Sequence, residues 1–305
     1  MSTTSSSAAS TRRLFALTSR GLRELRVEAG ADGASSATPS TSPSAVHDLL
    51  ERLPGGVYSA LRTFHHNRFL WLDAHLDRTE RSMAGLGWPR RLDRPALRAA
   101  LHRAATEYPL ADSVARFDVL RDEFELQGER ASVFLALSPF VAVPAEFLRD
   151  GVRVDLAPQL HRTTPRIKTT DFVRVRKPMP LGTKERYEHI LLDDQRRVLE
   201  CSSSNIAFVR DGAVLSAGDG VLEGITALVL RHVAASMGVR WIDERLPLSA
   251  LDTVDEAFLS SSSRGIVPIV EVEADRIGDG RVGPITRRLT AGYYEFAERE
   301  AAPAE

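Results

Sequence analysis

Cysteine and lysine are both scarce in this sequence. Among its 305 residues there is a single cysteine, Cys201, so the sequence offers neither an internal disulfide nor a multi-cysteine metal site. Of the 40 lysine and arginine residues, only Lys168, Lys177 and Lys184 are lysines. A reaction that needs a side-chain amine must therefore use one of these three residues.

Long apolar runs and a strong net charge are also missing. No apolar run approaches the roughly 18 residues that cross a bilayer. The formal net charge is −1, which argues against a nucleic-acid binder with a basic surface. A composition of 43% hydrophobic and 27% charged residues fits one or two globular domains with a core. We therefore expect a soluble, cytoplasmic protein that binds neither membrane nor nucleic acid.

Several common catalytic motifs are absent as well. The sequence has no Gly-x-Gly-x-x-Gly after a strand, no Gly-Lys-Ser/Thr phosphate loop, no His-Glu-x-x-His and no Gly-x-Ser-x-Gly. The pair His65-His66 has the pattern of a hairpin turn rather than of a metal site. Cys201 follows Glu200, whose negative charge raises the pKa of a thiol, so we predict a structural role for this cysteine.

The composition suggests how the chain is divided. Residues 1–46 are rich in Ser, Thr and Ala and are predicted to be partly mobile, although 12–27 could form a strand or hairpin. The same segment superficially resembles an organelle transit peptide, but the Ala- and Arg-rich remainder is typical of a bacterial protein and argues against that interpretation. We predict a small α/β domain over 47–145, a linker at 146–151 and a larger domain over 152–305. The fold class is α/β (α+β), with a ligand site between the two domains.

Periodicity and capping residues predict the main elements. Helices are expected at 47–53, from a cap at Asp73 to Gly85 or Gly87, from Asp93 to 106, at 227–237 and at 284–300. Strands are expected at 57–64, 68–72, 113–120, 131–137, 152–156, 240–244, 255–260 and 266–272, with two more around Glu200 and Asn205. A basic linker that contains Pro and Gly is expected between Val173 and His189, and it carries Lys177 and Lys184.

Three stretches have the chemistry of an anion site. Gly224-Ile225-Thr226 directly precedes a predicted helix, where free backbone amides and the helix dipole favour a phosphate. A second hydroxyl-rich turn, 261–263, ends a predicted strand. Arg78 can add a bidentate contact. Together with Lys168 and Glu200, these groups suit a cofactor that is an aldehyde at one end and a pyridine at the other.

The order of the motifs resembles the class IV aminotransferases, which are fold-type-IV pyridoxal-phosphate enzymes. That family includes branched-chain and D-amino-acid aminotransferases and 4-amino-4-deoxychorismate lyase. The resemblance extends over roughly residues 57–294. It consists of the segments 75–78, 167–169, 191–193, 200–205, 222–226, 255–258, 264–268 and 283–286, in the family's order.

The resemblance implies a role for particular residues. Lys168 would form the internal aldimine with pyridoxal 5′-phosphate and then move a proton between the substrate Cα and the cofactor. Glu200 would bind the pyridine nitrogen and keep it protonated. The cofactor site would also include Arg78, Ser203, Asn205, Gly224, Ile225, Thr226, Ser261 and Ser262. The tentative substrate residues are Tyr58, Arg62, Ser263 and Arg264.

The implied function is an aminotransferase that exchanges an amino group between an amino acid or amine and a 2-oxo acid, in a homodimer. Two departures from the family pattern leave other readings open. Ser59 stands where many relatives have an acid, and Val173 stands where branched-chain enzymes have a tyrosine. One alternative is a lyase of the aminodeoxychorismate-lyase type, and another is a catalytically silent member of the family.

Overall fold

Two β-sheets and their covering helices make up the computed structural model, which describes residues 12–27, 45–176 and 182–304. Lys177 lies outside the described residues. The elements of the first half are β1 (Arg13–Thr18), β2 (Gly21–Leu25), α1 (Ala45–Glu51), β3 (Gly56–Phe64), β4 (Arg68–Phe69), α2 (Leu72–Gly85), α3 (Arg94–Thr106), β5 (Ser113–Leu126), β6 (Glu129–Pro139) and α4 (Ala145–Asp150).

The second half begins with a strand and ends with a long helix and a short strand. Its elements are β7 (Val152–Leu156), α5 (Thr170–Arg176), β8 (His189–Leu192), β9 (Val198–Cys201), β10 (Asn205–Arg210), β11 (Ala213–Ser216), α6 (Ile225–Ser236), β12 (Trp241–Asp243), a 3₁₀ segment Leu248–Thr253, β13 (Glu256–Ser261), β14 (Gly265–Val272), β15 (Asp275–Arg276), α7 (Pro284–Glu300) and β16 (Ala302–Pro303). The mixed α/β class predicted from the sequence is confirmed.

The first sheet has the strand order β16-β4-β3-β5-β6-β1-β2. All its pairs are antiparallel, and the N-terminal hairpin β1–β2 joins it through β6, as the alternation in 12–27 had suggested. The second sheet has the order β12-β11-β10-β13-β14-β7-β8-β9 and is mixed, because β7 pairs in parallel with both neighbours. The boundaries predicted for the two domains stay a proposal.

Strand β3 separates the core of the first sheet from the ligand site. Val57 and Leu61 point into the core formed with α2 and β5. Tyr58 and Ala60 alternate to the other face, where they line a cavity. One strand therefore supplies both packing and functional side chains.

Helix α2 keeps most of its predicted features but begins differently. Its buried residues include His75, Arg78 and Met83, as the pattern predicted, and it ends at Gly85. The predicted cap at Asp73 is wrong: the helix follows Trp71, which has a left-handed backbone (φ 49°) and makes no side-chain cap, and Asp73 lies inside the first turn. The predicted cap of α3 is confirmed, since Asp93 accepts a hydrogen bond from the Ala96 amide at 3.0 Å.

Two further predictions concern the turn after β3 and the segment after Lys168. The pair His65-His66 forms the turn between β3 and β4, with positive φ at both residues, as predicted. Helix α5 (Thr170–Arg176) was not predicted, and the linker expected after Val173 is wrong for 174–176, which belong to this helix. Over the described ranges, no helix is long and apolar enough to cross a membrane.

Candidate active site

The backbone around Lys168 is tied to two elements of the first sheet. Its carbonyl oxygen accepts a hydrogen bond from the Tyr58 amide of β3 at 3.0 Å. Its amide donates to the Ser82 hydroxyl of α2 at 3.3 Å. Thr169 forms a bridge with Val57, so the segment runs alongside β3. These contacts fix where the lysine side chain leaves the backbone.

The amine of Lys168 lies against an aromatic ring and among cations. Its Nζ is 4.7 Å from the centre of the Tyr58 ring. Desolvation, opposed by Tyr58 and reinforced by Arg78 and Arg162, lowers the pKa of Lys168 to about 8. A substantial fraction of the amine is therefore neutral near physiological pH, which is the nucleophilic form.

The same positive charges favour the ionised form of Tyr58. Burial alone would raise its pKa, but the positive charges of Lys168, Arg176 and Arg116 outweigh burial and lower the pKa of Tyr58 to about 7. The guanidinium of Arg116 also lies over its ring, 4.6 Å from the centre. The phenol and the amine are thus coupled acid–base groups that face one cavity.

Glu200 ends β9 in a buried position. One carboxylate oxygen forms an ion pair with Arg162 Nε at 2.8 Å, and the other accepts a hydrogen bond from the Leu222 amide at 3.3 Å. Burial raises the pKa of Glu200, while Arg162 and the Leu222 amide lower it. The Arg162 guanidinium stacks on Phe172, 3.9 Å from the ring centre. The carboxylate is therefore held in one orientation at the wall of the cavity.

Hydroxyl groups and free amides meet at the start of α6. The Thr226 and Ser262 hydroxyl oxygens are 3.2 Å apart, which joins α6 to the end of β13. Gly224 occupies the cap position and no side chain caps the helix, so its first amides remain available to a ligand. A Cβ at Gly224 would overlap Asn205 Oδ1, so only glycine fits. Asn205 in turn donates to the Leu222 carbonyl at 2.8 Å.

Arg78 reaches the same region from α2. Its guanidinium donates to the Ser59 hydroxyl at 2.8 Å and to the Glu223 carbonyl at 3.1 Å. Burial lowers its pKa to about 10, so it remains a cation at neutral pH. Ser59 also contacts His75 Nδ1 at 2.9 Å, and burial beside Arg78 lowers the pKa of His75 well below its ordinary value. A neutral histidine and a hydroxyl therefore orient Arg78 without neutralising it.

These groups line a single cavity of about 270 Å³. Its wall holds a reactive amine, a buried carboxylate and an anion cradle made of Arg78, the α6 amides and two hydroxyls. Pyridoxal phosphate presents an aldehyde, a pyridine nitrogen and a phosphate, and the residues present fit each of them. In the described part of the chain, no cluster of His, Cys, Asp and Glu suits a metal ion.

A profile of the family Amino-transferase class IV matches residues 56–272, which include every group of the cavity described above. The chain belongs to this family. The resemblance drawn from the sequence motifs is thereby confirmed.

Named relatives of this family member include D-alanine aminotransferases. The protein of Staphylococcus haemolyticus is 31% identical over 107 residues, or 34% of this chain and 38% of that protein. The first relatives are thus matched over little more than a third of their length. The protein of Listeria innocua is 25% identical over 273 residues, which cover 85% of this chain and 93% of that one.

Solved structures show the same fold. A branched-chain aminotransferase from the thermophilic archaeon Thermoproteus uzoniensis, determined with norvaline, has a TM-score of 0.68 at 20% identity and covers 96% of this chain and 99% of its own. The 4-amino-4-deoxychorismate lyase of Pseudomonas aeruginosa has a TM-score of 0.64 at 26% identity and covers 80% of this chain and 90% of its own. The fold-type-IV architecture expected from the resemblance is confirmed.

The structure of this family member brings most predicted site residues together. The cavity wall contains Tyr58, Arg78, Lys168, Glu200, Ser203, Asn205, Gly224, Ile225, Thr226, Ser261, Ser262, Ser263 and Arg264. Arg62 is not part of that wall: it pairs with Asp112 at 2.5 Å and stacks on Phe140 at 3.9 Å. The individual roles assigned to these residues remain predictions.

Arg264 has a partner that sequence reasoning did not anticipate. Its guanidinium bonds the fully buried Glu188 at 3.0 Å and the Ser203 hydroxyl at 2.8 Å. Glu188 also accepts a hydrogen bond from Ser202. The arginine therefore braces the serine turn that follows Glu200, and a substrate role for it stays a prediction.

Neither Cys201 nor Lys184 lines the cavity. Cys201 is fully buried, and desolvation together with the charge of Glu188 raises the pKa of its thiol well above the ordinary value. This fits the structural role predicted for it. Lys184 lies on the surface in an ion pair with Asp150 at 3.0 Å.

Three arginines of the cavity were missed as functional residues. Arg116 on β5 pairs with Asp118, two residues further along the same face, a spacing visible in the sequence. Arg162 and Arg176 gave no such signal. Their partners are distant in sequence, and α5, which carries Arg176, was not predicted.

Proposed function

We propose that the protein is a pyridoxal-phosphate-dependent aminotransferase, which moves an amino group between an amino acid or amine and a 2-oxo acid. The observation that carries the proposal is the position of the Lys168 amine beside Tyr58, in the same cavity as Glu200 and the anion cradle. No other described lysine lines this cavity.

The bound cofactor supplies an electron-accepting ring that makes loss of a proton from the substrate Cα accessible. The residues of the chain do the rest. Lys168 supplies the neutral amine and, once free, receives and returns that proton. Glu200, fixed by Arg162, would bind the pyridine nitrogen, and Arg78 with Thr226 and Ser262 would hold the phosphate.

The test is a half-reaction without turnover. Purified protein loaded with pyridoxal phosphate is mixed with D- and L-amino acids and with simple amines, one at a time. A donor should bleach the visible absorbance of the bound cofactor and release one equivalent of keto acid or aldehyde per site. If no donor in a broad panel causes bleaching, the proposal is wrong.

A lyase is the second candidate. It is supported by the likeness to the Pseudomonas aeruginosa 4-amino-4-deoxychorismate lyase and by Ser59, a small residue where many aminotransferases have an acid. The two functions separate in one assay. A lyase would release pyruvate from 4-amino-4-deoxychorismate with no 2-oxo acid present, whereas an aminotransferase would stop after one equivalent of product.

We also propose a homodimer, as the family resemblance implies. Light scattering coupled to size exclusion measures the mass directly. A mass of about twice the 33.6 kDa of one chain would agree with the proposal, and a monomer with full activity would contradict it.

A further inference from the structure

Most guanidinium groups of the cavity are already neutralised by carboxylates of the protein. The pairs are Arg116–Asp118, Arg162–Glu200 and Arg264–Glu188. Two cavity arginines have no carboxylate partner in the described part of the chain, Arg78 and Arg176. Arg78 belongs to the anion cradle at the start of α6, which the cofactor phosphate would occupy. One cation therefore remains without an assigned anion.

Arg176 is bound to the turn that follows Glu200. Its Nη1 donates to the carbonyl oxygen of Ser202 at 2.5 Å, in the turn that follows Glu200. It lines the same cavity as Lys168 and Tyr58, and its charge lowers the pKa of both side chains. A guanidinium has five N–H donors, so one bond to a carbonyl leaves donors for a ligand. The cation thus lies close to the groups that react.

Helix α5 carries Arg176 and is itself held in a fixed position. The Thr170 hydroxyl accepts a hydrogen bond from the Gly56 amide at 2.9 Å and so joins the helix to β3. Arg174 donates to the Leu53 carbonyl at 2.5 Å. Phe172 is buried and lies beneath the Arg162 guanidinium. Because three residues anchor a helix of seven, little backbone entropy remains to be lost when Arg176 binds a ligand.

We propose that Arg176 binds a carboxylate of the amino donor and of the 2-oxo acid, and thereby makes amino acids, rather than simple amines, the substrates of this enzyme. This inference rests on the proposed aminotransferase function. Carboxylates are the ligands that match the fork of a guanidinium, and a half-buried site strengthens the pairing. The cofactor phosphate would not compete, because Arg78 and the amides at the start of α6 would hold it.

The test compares Arg176→Gln and Arg176→Lys with the wild-type enzyme. The donors are matched pairs that differ only in the α-carboxylate: alanine with ethylamine, valine with isobutylamine, and glutamate with 4-aminobutyrate, each chiral amino acid in both enantiomers. Half-saturation for cofactor bleaching is measured for every donor. Arg186→Gln is the control, because Arg186 forms an exposed ion pair outside the cavity.

We expect Arg176→Gln to raise half-saturation for the amino acids about 10- to 100-fold, the usual effect of losing hydrogen bonds to a charged group. The amines should be unaffected, and Arg176→Lys should restore part of the loss. Calorimetric titration of the pyridoxal-phosphate-loaded protein with propionate and succinate, which have no amino group, gives a readout independent of turnover. Binding should be weakened to the same extent in Arg176→Gln.

Pyridoxal phosphate affinity separates this role from a role at the cofactor and should be equal in all variants. A loss of cofactor affinity in Arg176→Gln, with acids and amines affected equally, would overturn the inference. Bleaching by amines but by no amino acid in the wild type would also overturn it. If the wild-type protein reacts with no donor at all, the proposed function itself has failed.

Discussion

The amine of Lys168 and the phenol of Tyr58 form a coupled pair, with Nζ 4.7 Å from the ring centre. The pKa values of both groups are lowered, to about 8 for the lysine and about 7 for the tyrosine. The negative charge of the phenolate raises the pKa of Lys168, whereas desolvation and the surrounding arginines lower it. Tyr58 thus limits how far the pKa of Lys168 is lowered.

This pair predicts the pH dependence of lysine reactivity. In the cofactor-free protein, reductive methylation of Lys168 should rise as pH increases through about 8, because only the neutral amine reacts. An unperturbed lysine would respond about two units higher. Tyr58→Phe should move the midpoint below that of the wild type. Mass spectrometry of the Lys168 peptide measures the rate.

A midpoint above about 10, close to that of an unperturbed lysine, would contradict the account, and so would an upward shift of the midpoint in Tyr58→Phe.

The ion pair between Glu200 and Arg162 predicts a large effect on stability. Both side chains are less than a tenth exposed, so Glu200→Ala would leave Arg162 buried and unpaired. Removal of one partner from such a pair costs about 3–5 kcal/mol of unfolding free energy. Urea unfolding of the cofactor-free protein measures the change.

A double variant provides the control for this pair. Arg162→Met combined with Glu200→Leu removes both charges and should recover most of the loss, because no buried charge then lacks a partner. If Glu200→Ala costs less than about 1 kcal/mol, the pair does not hold the carboxylate as the structure implies.

The hydroxyl pair of Thr226 and Ser262 predicts selectivity for the phosphate. Thr226→Val keeps the shape of the side chain and removes the hydroxyl. It should weaken pyridoxal phosphate binding about 10-fold or more, because hydrogen bonds to charged groups contribute about 1.5–3 kcal/mol. Pyridoxal, which has no phosphate, is the matched ligand. Fluorescence titration with both should show a loss for the phosphate ester alone; an equal loss for pyridoxal would refute the role.

The close approach of Gly224 to Asn205 predicts a steric effect. In Gly224→Ala the new methyl group meets Asn205 Oδ1, so the bond from Asn205 to the Leu222 carbonyl must move. Overpacking of this kind costs about 1–3 kcal/mol. Thermal unfolding should show a lower midpoint for Gly224→Ala than for the wild type. Adding Asn205→Ala to Gly224→Ala should cost less than the sum of the two single changes, and strict additivity would contradict the contact.

More of the candidate site than of the structure around it could be predicted from the sequence. Lys168, Glu200 and the Gly224-Ile225-Thr226 segment were identifiable because each belongs to a short motif with a local physical meaning. The pattern placed the start of this helix at Ala227, directly after the segment, and α6 begins two residues earlier, at Ile225. Contacts within a few residues are what a sequence pattern encodes.

The remainder depends on tertiary contacts. Helix α5 was missed because its composition, with Thr170 and Val173 and a run of Pro and Gly beyond it, favours a linker. Its bonds to Gly56 and Leu53 come from far along the chain and outweigh that local preference. The cap of α2 was placed at Asp73 by a general rule, although the chain turns at Trp71 instead.

The central claim is that the chemistry depends on Lys168. The most direct measurement treats wild-type, Lys168→Ala and Lys184→Ala proteins with pyridoxal phosphate and then borohydride, and locates the reduced adduct by mass spectrometry. Lys184 is the matched control, since it lies on the surface beside Asp150. We predict one adduct on Lys168 in the wild type and in Lys184→Ala, and none in Lys168→Ala. A stoichiometric adduct that survives in Lys168→Ala would contradict the account.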